Sequence, residues 1–454
     1  MALLGPRLVV AGTHSGVGKT TVATGIMAAL ASRGLRVGAA KVGPDFIDPG
    51  YHRAATGRPG RSLDAFLAGR ELLPGLAAAA ARGADLLVVE GVMGLFDGAG
   101  LPGVDGSTAE VSRVLEAPTV LVVDASAMSG SVAALVHGYA SYDPSLDVAG
   151  VVLNRVGGAG HAELLREALA PLGLPVLGAI PRRDDLVWRE RHLGLVPVAE
   201  RPAETQAAIA RLGEVVARHV DLEALLRLAR AAPTRRAVDP PSASFVGRCV
   251  VALCAGPAFS FVYPENLELL EQAGAELVPF DPCRAARLPD GAAALYAGGG
   301  FPEVFASELA ANRPLLDELA ARVSAGLVTW AECGGFLLLC ESLDGVPLAG
   351  ALAGVRARLG DTLAIGYRRA TTRVPGLLGP AGTELVGHEF HRSTVEPAGD
   401  ALELEGRFGR GRAGFSSPTL FASYLHQHLA ARPVLAQRFV RAALDSLPRR
   451  AARA

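Results

Sequence analysis

The 454-residue chain lacks several features that would place it in common functional classes. It has 44 basic and 45 acidic residues, and a formal net charge of −1 without any long basic run argues against nucleic acid or an anionic membrane as its main partner. No apolar run approaches the roughly 20 residues needed to span a bilayer. The composition therefore favours a globular protein that acts on small molecules.

Cysteine is also scarce, with five residues at positions 249, 254, 283, 333 and 340 and none in the first half of the chain. The number is odd and no CxxC pair occurs, which argues against a disulfide framework and a zinc knuckle. Reduced thiols and the absence of a visible signal peptide predict a cytoplasmic protein. The oligomeric state stays open, with a homodimer as one alternative.

Short apolar runs alternate with helical stretches through the first 200 residues. The runs lie at 8–11, 37–41, 86–90, 119–124, 148–154 and 175–180. Because they do not alternate strictly with polar residues, they predict parallel strands buried on both faces and joined by right-handed crossovers. Three prolines in residues 231–244 predict a linker, after which strands and helices alternate again. We predict an α/β protein with two doubly wound domains, residues 1–230 and 245–454.

A candidate phosphate loop, residues 12–20 (GTHSGVGKT), lies between an apolar strand and a helix. Its glycines let backbone N–H groups approach phosphate oxygens, Lys19 would reach the outer phosphates, and Thr20 would hold Mg²⁺ through its hydroxyl. Position 13 departs from the strict pattern, which has glycine there. The predicted ATP-binding residues of the loop are Gly16, Gly18, Lys19, Thr20 and Thr21.

Polar residues end several neighbouring predicted strands. Lys41 opens the segment 41–52 (KVGPDFIDPGYH), and Glu90 lies in the segment 88–98 (VVEGVMGLFDG). Carboxyl ends of parallel strands share the sheet edge where ligands bind, and phosphoryl transfer requires lysines with carboxylate-held Mg²⁺. Four carboxylates could hold Mg²⁺ or orient a substrate carboxylate: Asp45, Asp48, Glu90 and Asp97. Asp45 and Asp48 could instead only form turns, and Asn154, at another strand end, could contact the adenine edge.

A second candidate site lies far downstream, at Cys333 in the segment 328–336 (VTWAECGGF). A strand, a sharp turn and a Gly-Gly helix start are typical of an elbow that exposes a thiolate nucleophile. Gly299 and Gly300, in the loop after another strand, could direct N–H groups at an oxyanion. The nucleophile needs a base, and the candidates are His388, His391, His426 and His428.

Taken together, these motifs resemble the cobyrinate (hydrogenobyrinate) a,c-diamide synthase family, in which a P-loop domain akin to dethiobiotin synthetase is joined to a class I glutamine amidotransferase domain. The segment 41–52 is the most specific match in the first half. In the second half, residues 424–426 (YLH) resemble the histidine motif of corrinoid amidases, which implies that His426 is the base. The glutamate that usually follows two residues later is His428 here, so the orienting partner of His426 stays open.

The resemblance implies a carbon–nitrogen ligase of cobalamin biosynthesis. Cys333 would release ammonia from glutamine, with His426 as its acid and base. Lys41 would contact the phosphoryl group that ATP transfers to a substrate carboxylate. Thr20, Asp48 and Glu90 would serve Mg²⁺, and Asp45, Asp48 and Asp97 the substrate or acyl phosphate. The same chemistry on nickel-sirohydrochlorin and a partition-type regulatory ATPase are the alternatives.

Overall fold

A computed structural model describes residues 2–101, 105–183, 190–191, 194–407 and 409–447. The chain divides into two compact units, Met1–Pro240 and Pro241–Ala454. Among the described residues, no helix is both long and apolar enough to cross a bilayer.

The first unit alternates strands and helices along most of its length. Its strands are β1 (Ala2–Leu4), β2 (Arg7–Gly12), β3 (Val37–Val42), β4 (Gly60–Leu63), β5 (Leu86–Glu90), β6 (Thr119–Asp124), β7 (Val148–Val156), β8 (Val176–Pro181), β9 (Glu190–Arg191), β10 (Gly194–Leu195) and β11 (Arg235–Ala237). Its α-helices are α1 (Lys19–Ser32), α2 (Asp48–Thr56), α3 (Leu73–Ala81), α4 (Thr108–Leu115), α5 (Ser131–Ser141), α6 (Ala159–Leu169), α7 (Pro202–His219) and α8 (Leu222–Ala231).

Seven of these strands form one sheet in the order β4-β3-β5-β2-β6-β7-β8, and every neighbouring pair is parallel. The predicted doubly wound architecture is therefore confirmed, and the edge strand β4 adds to the predicted strands. The sheet register sets Glu90 opposite both Lys41 and Val10. The ends of β2, β3 and β5 thus meet beside the loop that follows β2.

Both faces of this sheet are buried, which explains why its strands show no polar alternation. In β6, Val122 packs into the core that contains Ile26 of α1, whereas its neighbour Leu121 packs into the core that contains Val132 of α5. Two helical layers therefore enclose the sheet and hold its carboxyl edge in a fixed geometry.

Part of the segment predicted as a linker is a strand. β11 pairs antiparallel with β1, and Ala237 lies opposite Ala2. The buried guanidinium of Arg7 fixes this corner by donating to the carbonyl oxygens of Leu115 at 2.6 Å and Pro233 at 2.9 Å. Proline and small polar residues predicted an irregular segment, but the pairing with β1 orders its centre.

The second unit contains more strands than the sequence predicts. They are β12 (Cys249–Cys254), β13 (Ala275–Phe280), β14 (Ala292–Ala297), β15 (Val328–Glu332), β16 (Ser342–Leu343), β17 (Val346–Pro347), β18 (Arg356–Thr372), β19 (Glu384–Glu396), β20 (Leu402–Gly406), β21 (Gly409–Ala413), β22 (Phe415–Ser416) and β23 (Leu420–Ser423). Its α-helices are α9 (Pro264–Ala273), α10 (Ala306–Ala311), α11 (Arg313–Ser324), α12 (Gly334–Leu339) and α13 (Val434–Ser446).

Two sheets share this unit. The first has the order β13-β12-β14-β15-β23-β22 and is parallel apart from β22. The second, β16 to β21, is mainly antiparallel and is dominated by the long β18–β19 pair. The doubly wound prediction is confirmed for the first sheet, whereas the second sheet extends it.

Candidate active sites

The phosphate loop connects β2 to α1 and depends on its glycines. Gly16 and Gly18 have φ values of 84° and 92°, in the left-handed region that favours glycine. A Cβ added at Gly12 would lie 2.6 Å from Val17 Cγ2. The loop can therefore present backbone N–H groups to a phosphate at the start of α1.

Lysine and carboxylate side chains meet directly beside this loop. Lys41 Nζ lies 2.7 Å from Asp48 Oδ2 and 2.7 Å from Glu90 Oε1. The Thr20 hydroxyl donates to the same Glu90 oxygen at 2.6 Å and to Asp48 at 3.3 Å. Lys41, Asp48 and Glu90 are all buried, so the cluster is screened from bulk solvent.

Burial and the charges of neighbouring side chains shift the pKa values of the residues in this cluster. Burial alone would lower the pKa of Lys41, but the Asp48 and Glu90 carboxylates raise it above its ordinary value. Burial would raise the pKa of Glu90, yet Lys41 and His52 hold it below the usual range. Burial and the nearby Asp45 raise the pKa of Asp48. Burial and the charge of Lys41 lower the pKa of Lys19 to about 8.

The donor set fits a hard divalent cation. Asp48 Oδ2 and Glu90 Oε1 both contact the Lys41 ammonium, and the Thr20 hydroxyl contacts the same two oxygens, so three oxygen donors lie together. Oxygen donors of this kind suit Mg²⁺. Among the described residues no group of three or more His, Cys, Asp or Glu side chains forms a metal cage, so further ligands would come from phosphate oxygens and water.

His52 also belongs to this site, although no role was predicted for it. Its Nε2 lies 2.6 Å from Glu90 Oε2, and both side chains are fully buried. Lys41 and Thr20 contact the other oxygen of Glu90, so that carboxylate is held at both ends. The segment 41–52 places His52 one turn after Asp48 on α2, a spacing that could have indicated its inward direction.

Asp45 and Asp97 stay outside the carboxylate cluster. Asp45 Oδ1 accepts hydrogen bonds from the N–H groups of Ile47 and Asp48, at 2.8 and 3.0 Å, and so forms the turn that begins α2. Asp97 is exposed, and its Oδ2 accepts from the N–H of Gly94 at 2.7 Å. Both aspartates shape loops at the sheet edge.

Asn154 and Thr21 flank the phosphate loop. The Asn154 amide is buried and donates to the carbonyl oxygen of Val17 at 2.8 Å. Its nitrogen lies 2.3 Å from the place that a Cβ at Gly18 would take. Asn154 therefore buttresses the phosphate loop, while Thr21 lies in the first turn of α1.

In the second unit, Cys333 forms the predicted elbow between β15 and α12. Its φ of 47° is left-handed, a conformation that a non-glycine residue adopts only under constraint. Position 335 requires glycine, because a Cβ there would lie 2.2 Å from the Ala297 carbonyl oxygen. The expectation of an exposed thiol is corrected: Cys333 is only 4% exposed, since its sulfur lies 3.9 Å from the Phe390 carbonyl oxygen of β19.

His426 is the histidine that the fold brings to Cys333. The imidazole is fully buried, and Cys333 acts on it electrostatically. Burial alone would lower its pKa, but the Cys333 thiolate and the Glu332 carboxylate raise the pKa of His426 to about 10. A cysteine nucleophile reacts as its thiolate, and a neighbouring imidazole is a base that can accept the proton of the thiol.

Only part of the predicted oxyanion hole is available. The Gly299 N–H donates to the Phe261 carbonyl oxygen at 3.0 Å, so in this conformation it is committed to another acceptor. Gly299 is small for a different reason, since a Cβ there would lie 2.4 Å from His426 Cε1. The Gly300 nitrogen lies 2.9 Å from the position that a Cβ on Gly334 would take, so the glycine loop packs directly against the start of α12.

His388 and His391, two of the candidate bases, both lie on β19 beside the thiol site. His388 exchanges two backbone hydrogen bonds with His426, at 3.0 and 2.9 Å. The His391 ring stacks on Tyr424 with centroids 3.6 Å apart. Burial and the positive charge of His426 lower the pKa of His388 to about 3, and burial lowers that of His391 to about 4. Both are neutral supports of the site.

Comparisons with known proteins match both units. Residues 8–195 match the CobQ/CobB/MinD/ParA nucleotide binding domain, and residues 250–434 match the CobB/CobQ-like glutamine amidotransferase domain. The chain is 49% identical to the hydrogenobyrinate a,c-diamide synthase of Streptomyces coelicolor, over 96% of this chain and 97% of that protein. It is 46% identical to the Mycobacterium tuberculosis protein of the same name, over 97% and 98%. It is 40% identical to the cobyrinate a,c-diamide synthase of a Synechococcus species, over 96% and 98%.

Proposed function

The chain belongs to the family of hydrogenobyrinate and cobyrinate a,c-diamide synthases, and we propose that it amidates the a and c acetate carboxylates of such a ring in cobalamin biosynthesis. ATP and glutamine are the co-substrates. The observation that carries the proposal is the presence, in one chain of this family, of an intact phosphate-loop cluster and an intact Cys333–His426 pair. A partition-type regulatory ATPase would need the first and have no use for the second.

The first unit supplies the activating step. The loop and Lys19 bind the ATP phosphates, and Lys41 neutralises charge on the transferred phosphoryl group. A substrate carboxylate attacks the γ-phosphorus, the bond to ADP breaks, and an acyl phosphate forms. Mg²⁺ would be held by Thr20, Asp48 and Glu90, and when bound it supplies charge neutralisation on the phosphate oxygens. Ammonia then attacks the acyl carbon and inorganic phosphate leaves.

The second unit supplies the ammonia. The Cys333 thiolate attacks the side-chain amide carbon of glutamine, and the imidazolium of His426 protonates the leaving ammonia. Water, deprotonated by the same imidazole, then hydrolyses the thioester to glutamate and restores the thiol. The N–H groups of Gly300 and Gly334 support the oxyanion of both tetrahedral intermediates.

The cobalt-free ring is the preferred candidate. The relatives named for hydrogenobyrinate are 46–49% identical to this chain, whereas those named for cobyrinate are 38–42% identical. Five free cysteines support a reducing cytoplasmic location. A homodimer stays a prediction that light scattering of the purified protein tests.

The test is an amidation assay with ATP, Mg²⁺ and glutamine, in which hydrogenobyrinate, cobyrinate and nickel-sirohydrochlorin are compared by product mass. We expect two amides on hydrogenobyrinate, with ADP released in step. Cys333→Ala should abolish synthesis from glutamine and retain synthesis from ammonium chloride. Turnover of nickel-sirohydrochlorin alone would contradict the proposed substrate. ADP release without formation of any amide would contradict the proposed reaction.

A further inference from the structure

A carboxylate lies behind His426 at a place where the sequence indicated none. Position 428, where the resemblance led us to expect a glutamate, is histidine. Instead, Glu332 Oε2 lies 3.5 Å from His426 Nδ1. This is an ion-pair distance, and apo geometries of catalytic groups are often longer than those in the substrate complex. The residue directly before the nucleophile therefore faces the base that activates it.

The carboxylate of Glu332 is held in place from its other side. Its Oε1 accepts from the indole N–H of Trp330 at 2.8 Å and from the N–H of Gln427 at 3.4 Å. Trp330 and Glu332 share one face of β15 because strand side chains alternate. Both are buried, at 0% and 3% exposure. With Oε1 occupied, Oε2 is the oxygen left for His426.

From this arrangement we infer that Glu332 is the third member of a Cys333–His426–Glu332 triad, acting as a positioning residue through His426. Its charge stabilises the imidazolium that protonates ammonia, and its location orients the ring towards Cys333. Because Glu332 ends β15 and pairs in register with Ser423 of the neighbouring β23, the carboxylate is placed by the sheet and not by a flexible loop. The inference rests on the proposed glutaminase step.

His428 pairs with another carboxylate, so it is not the residue that orients His426. Its Nε2 lies 3.8 Å from Glu265 Oε2, and its ring packs on Tyr263 with centroids 4.8 Å apart. Both Glu265 and His428 are buried. The two histidines of residues 426–428 therefore pair with two different carboxylates.

The other charged and titratable groups near His426 are paired or neutral. Glu332 is therefore the carboxylate that can pair with His426. Glu389 is bound to Arg368 at 2.7 Å, which makes a neutral pair on β18 and β19. His388 and His391 carry no charge near neutral pH, because burial lowers their pKa values to about 3 and about 4. Of the charges around the ring, the Cys333 thiolate and Glu332 are the ones that raise the pKa of His426.

The test is Glu332→Gln in the full-length protein, compared with Glu265→Gln as a matched change of another buried carboxylate. Glutaminase kcat/KM should fall about 100-fold in E332Q. Its alkaline limb should move to lower pH, because an imidazolium without its carboxylate loses its proton more easily. Alkylation of Cys333 by iodoacetamide at neutral pH should slow in parallel. E265Q should leave the alkaline limb in place.

Three further outcomes make the test decisive. Ammonia-dependent amidation of the corrinoid should be unchanged in E332Q, whereas a parallel loss of glutaminase and of this amidation would assign Glu332 a structural role and overturn the inference. An alkaline limb that moves in E265Q and not in E332Q would transfer the role to the Glu265–His428 pair. If E332Q does not fold, Glu332→Asp should keep the alkaline limb of the wild-type glutaminase pH profile at a lower kcat. A limb shifted in E332D would overturn the inference. Glutaminase and alkylation assays need no corrinoid, so they stand apart from any failure of the proposed substrate.

Discussion

Lys41 is the residue on which the first site depends most. Its ammonium neutralises Asp48 and Glu90 at 2.7 Å each, in a buried position. We predict that Lys41→Met abolishes corrinoid amidation and also destabilises the protein by about 3 kcal/mol, because two buried carboxylates lose their counter-ion. Glutaminase activity should persist and report that the second unit is folded. Amidation above a few per cent of wild type would contradict the role of Lys41.

His52 should act through Glu90. The imidazole holds Glu90 Oε2 at 2.6 Å, and partners behind a metal ligand typically affect metal affinity or activity about 10- to 100-fold. We therefore expect His52→Leu to lower amidation about 10- to 100-fold and to raise the Mg²⁺ concentration at half-maximal rate. His52→Gln, which retains a polar group near Nε2, should recover part of this loss. An unchanged Mg²⁺ dependence in H52L would show that His52 supports only the fold.

At the residue scale, the sequence predicted positions at strand ends and missed partners that the tertiary fold supplies. Lys41 and Glu90 were predictable because parallel strand ends converge at one edge. His52 was not, since a histidine in a helix carries no sign of which carboxylate it faces. Glu332 was hidden for the same reason, because its approach to His426 depends on the pairing of β15 with β23. Asp45 and Asp97 lie in a turn and a loop at the sheet edge, and their role towards the substrate stays a prediction.

The glycine loop after β14 is an element built around a neighbouring side chain. A Cβ at Gly299 would lie 2.4 Å from His426 Cε1 and 3.3 Å from Phe261 Cβ. We predict that Gly299→Ala displaces the imidazole and lowers glutaminase kcat by at least about 10-fold, while ammonia-dependent amidation continues. As a comparison, Gly291→Ala alters a glycine with nothing within 4 Å of an added Cβ, although its φ of 73° adds a small strain. Equal glutaminase rates in the two variants would show that loop packing does not position His426.

Strand β19 makes the second unit sensitive to acid. The pKa values of His388 and His391 fall to about 3 and about 4 on burial, below the ordinary value of 6.5. Because the unfolded chain binds these protons more readily, their contribution to stability is present above about pH 6.5 and is lost as pH falls towards 4. Each histidine should contribute a slope of up to about 1.4 kcal/mol per pH unit. Urea unfolding between pH 7 and pH 5 measures it, and His388→Asn should reduce the slope; an unaltered slope would show that His388 is not buried neutral.

Some strands could be predicted from the sequence, and others could not. The parallel strands of the first unit were predicted because they are buried on both faces and appear as plain apolar runs. The antiparallel sheet of β16 to β21 was not, because β18 is largely exposed and its sequence RARLGDTLAIGYRRATT has few apolar residues in alternation. β18 pairs with β19, and β19 covers the thiol of Cys333. Neither contact can be predicted from the sequence of the strand itself.

At the scale of the whole molecule, the two units have separate cores and separate chemistry. Ile26, Val122 and Leu212 share one core of the first unit, and Leu295, Phe336 and Leu339 share a core of the second. A ligand that binds only a folded unit stabilises that unit by mass action, by about 2.7 kcal/mol at a concentration of 100 Kd. Two ligands should therefore leave two distinct signatures in one chain.

Hydrogen exchange can measure these signatures in the full-length protein. We expect ATP with Mg²⁺ to slow exchange in α1 and in the segment 41–52, because phosphate contacts order the loop and the Lys41 cluster together. An electrophilic glutamine analogue that alkylates Cys333 should slow exchange in α12 and β19, which line the thiol. Cys333→Ala provides the control, since it removes the second signature and leaves the first. Protection of α12 by ATP in that variant, without any change in the segment 41–52, would show that the nucleotide binds the second unit and would overturn the division of labour between the two halves.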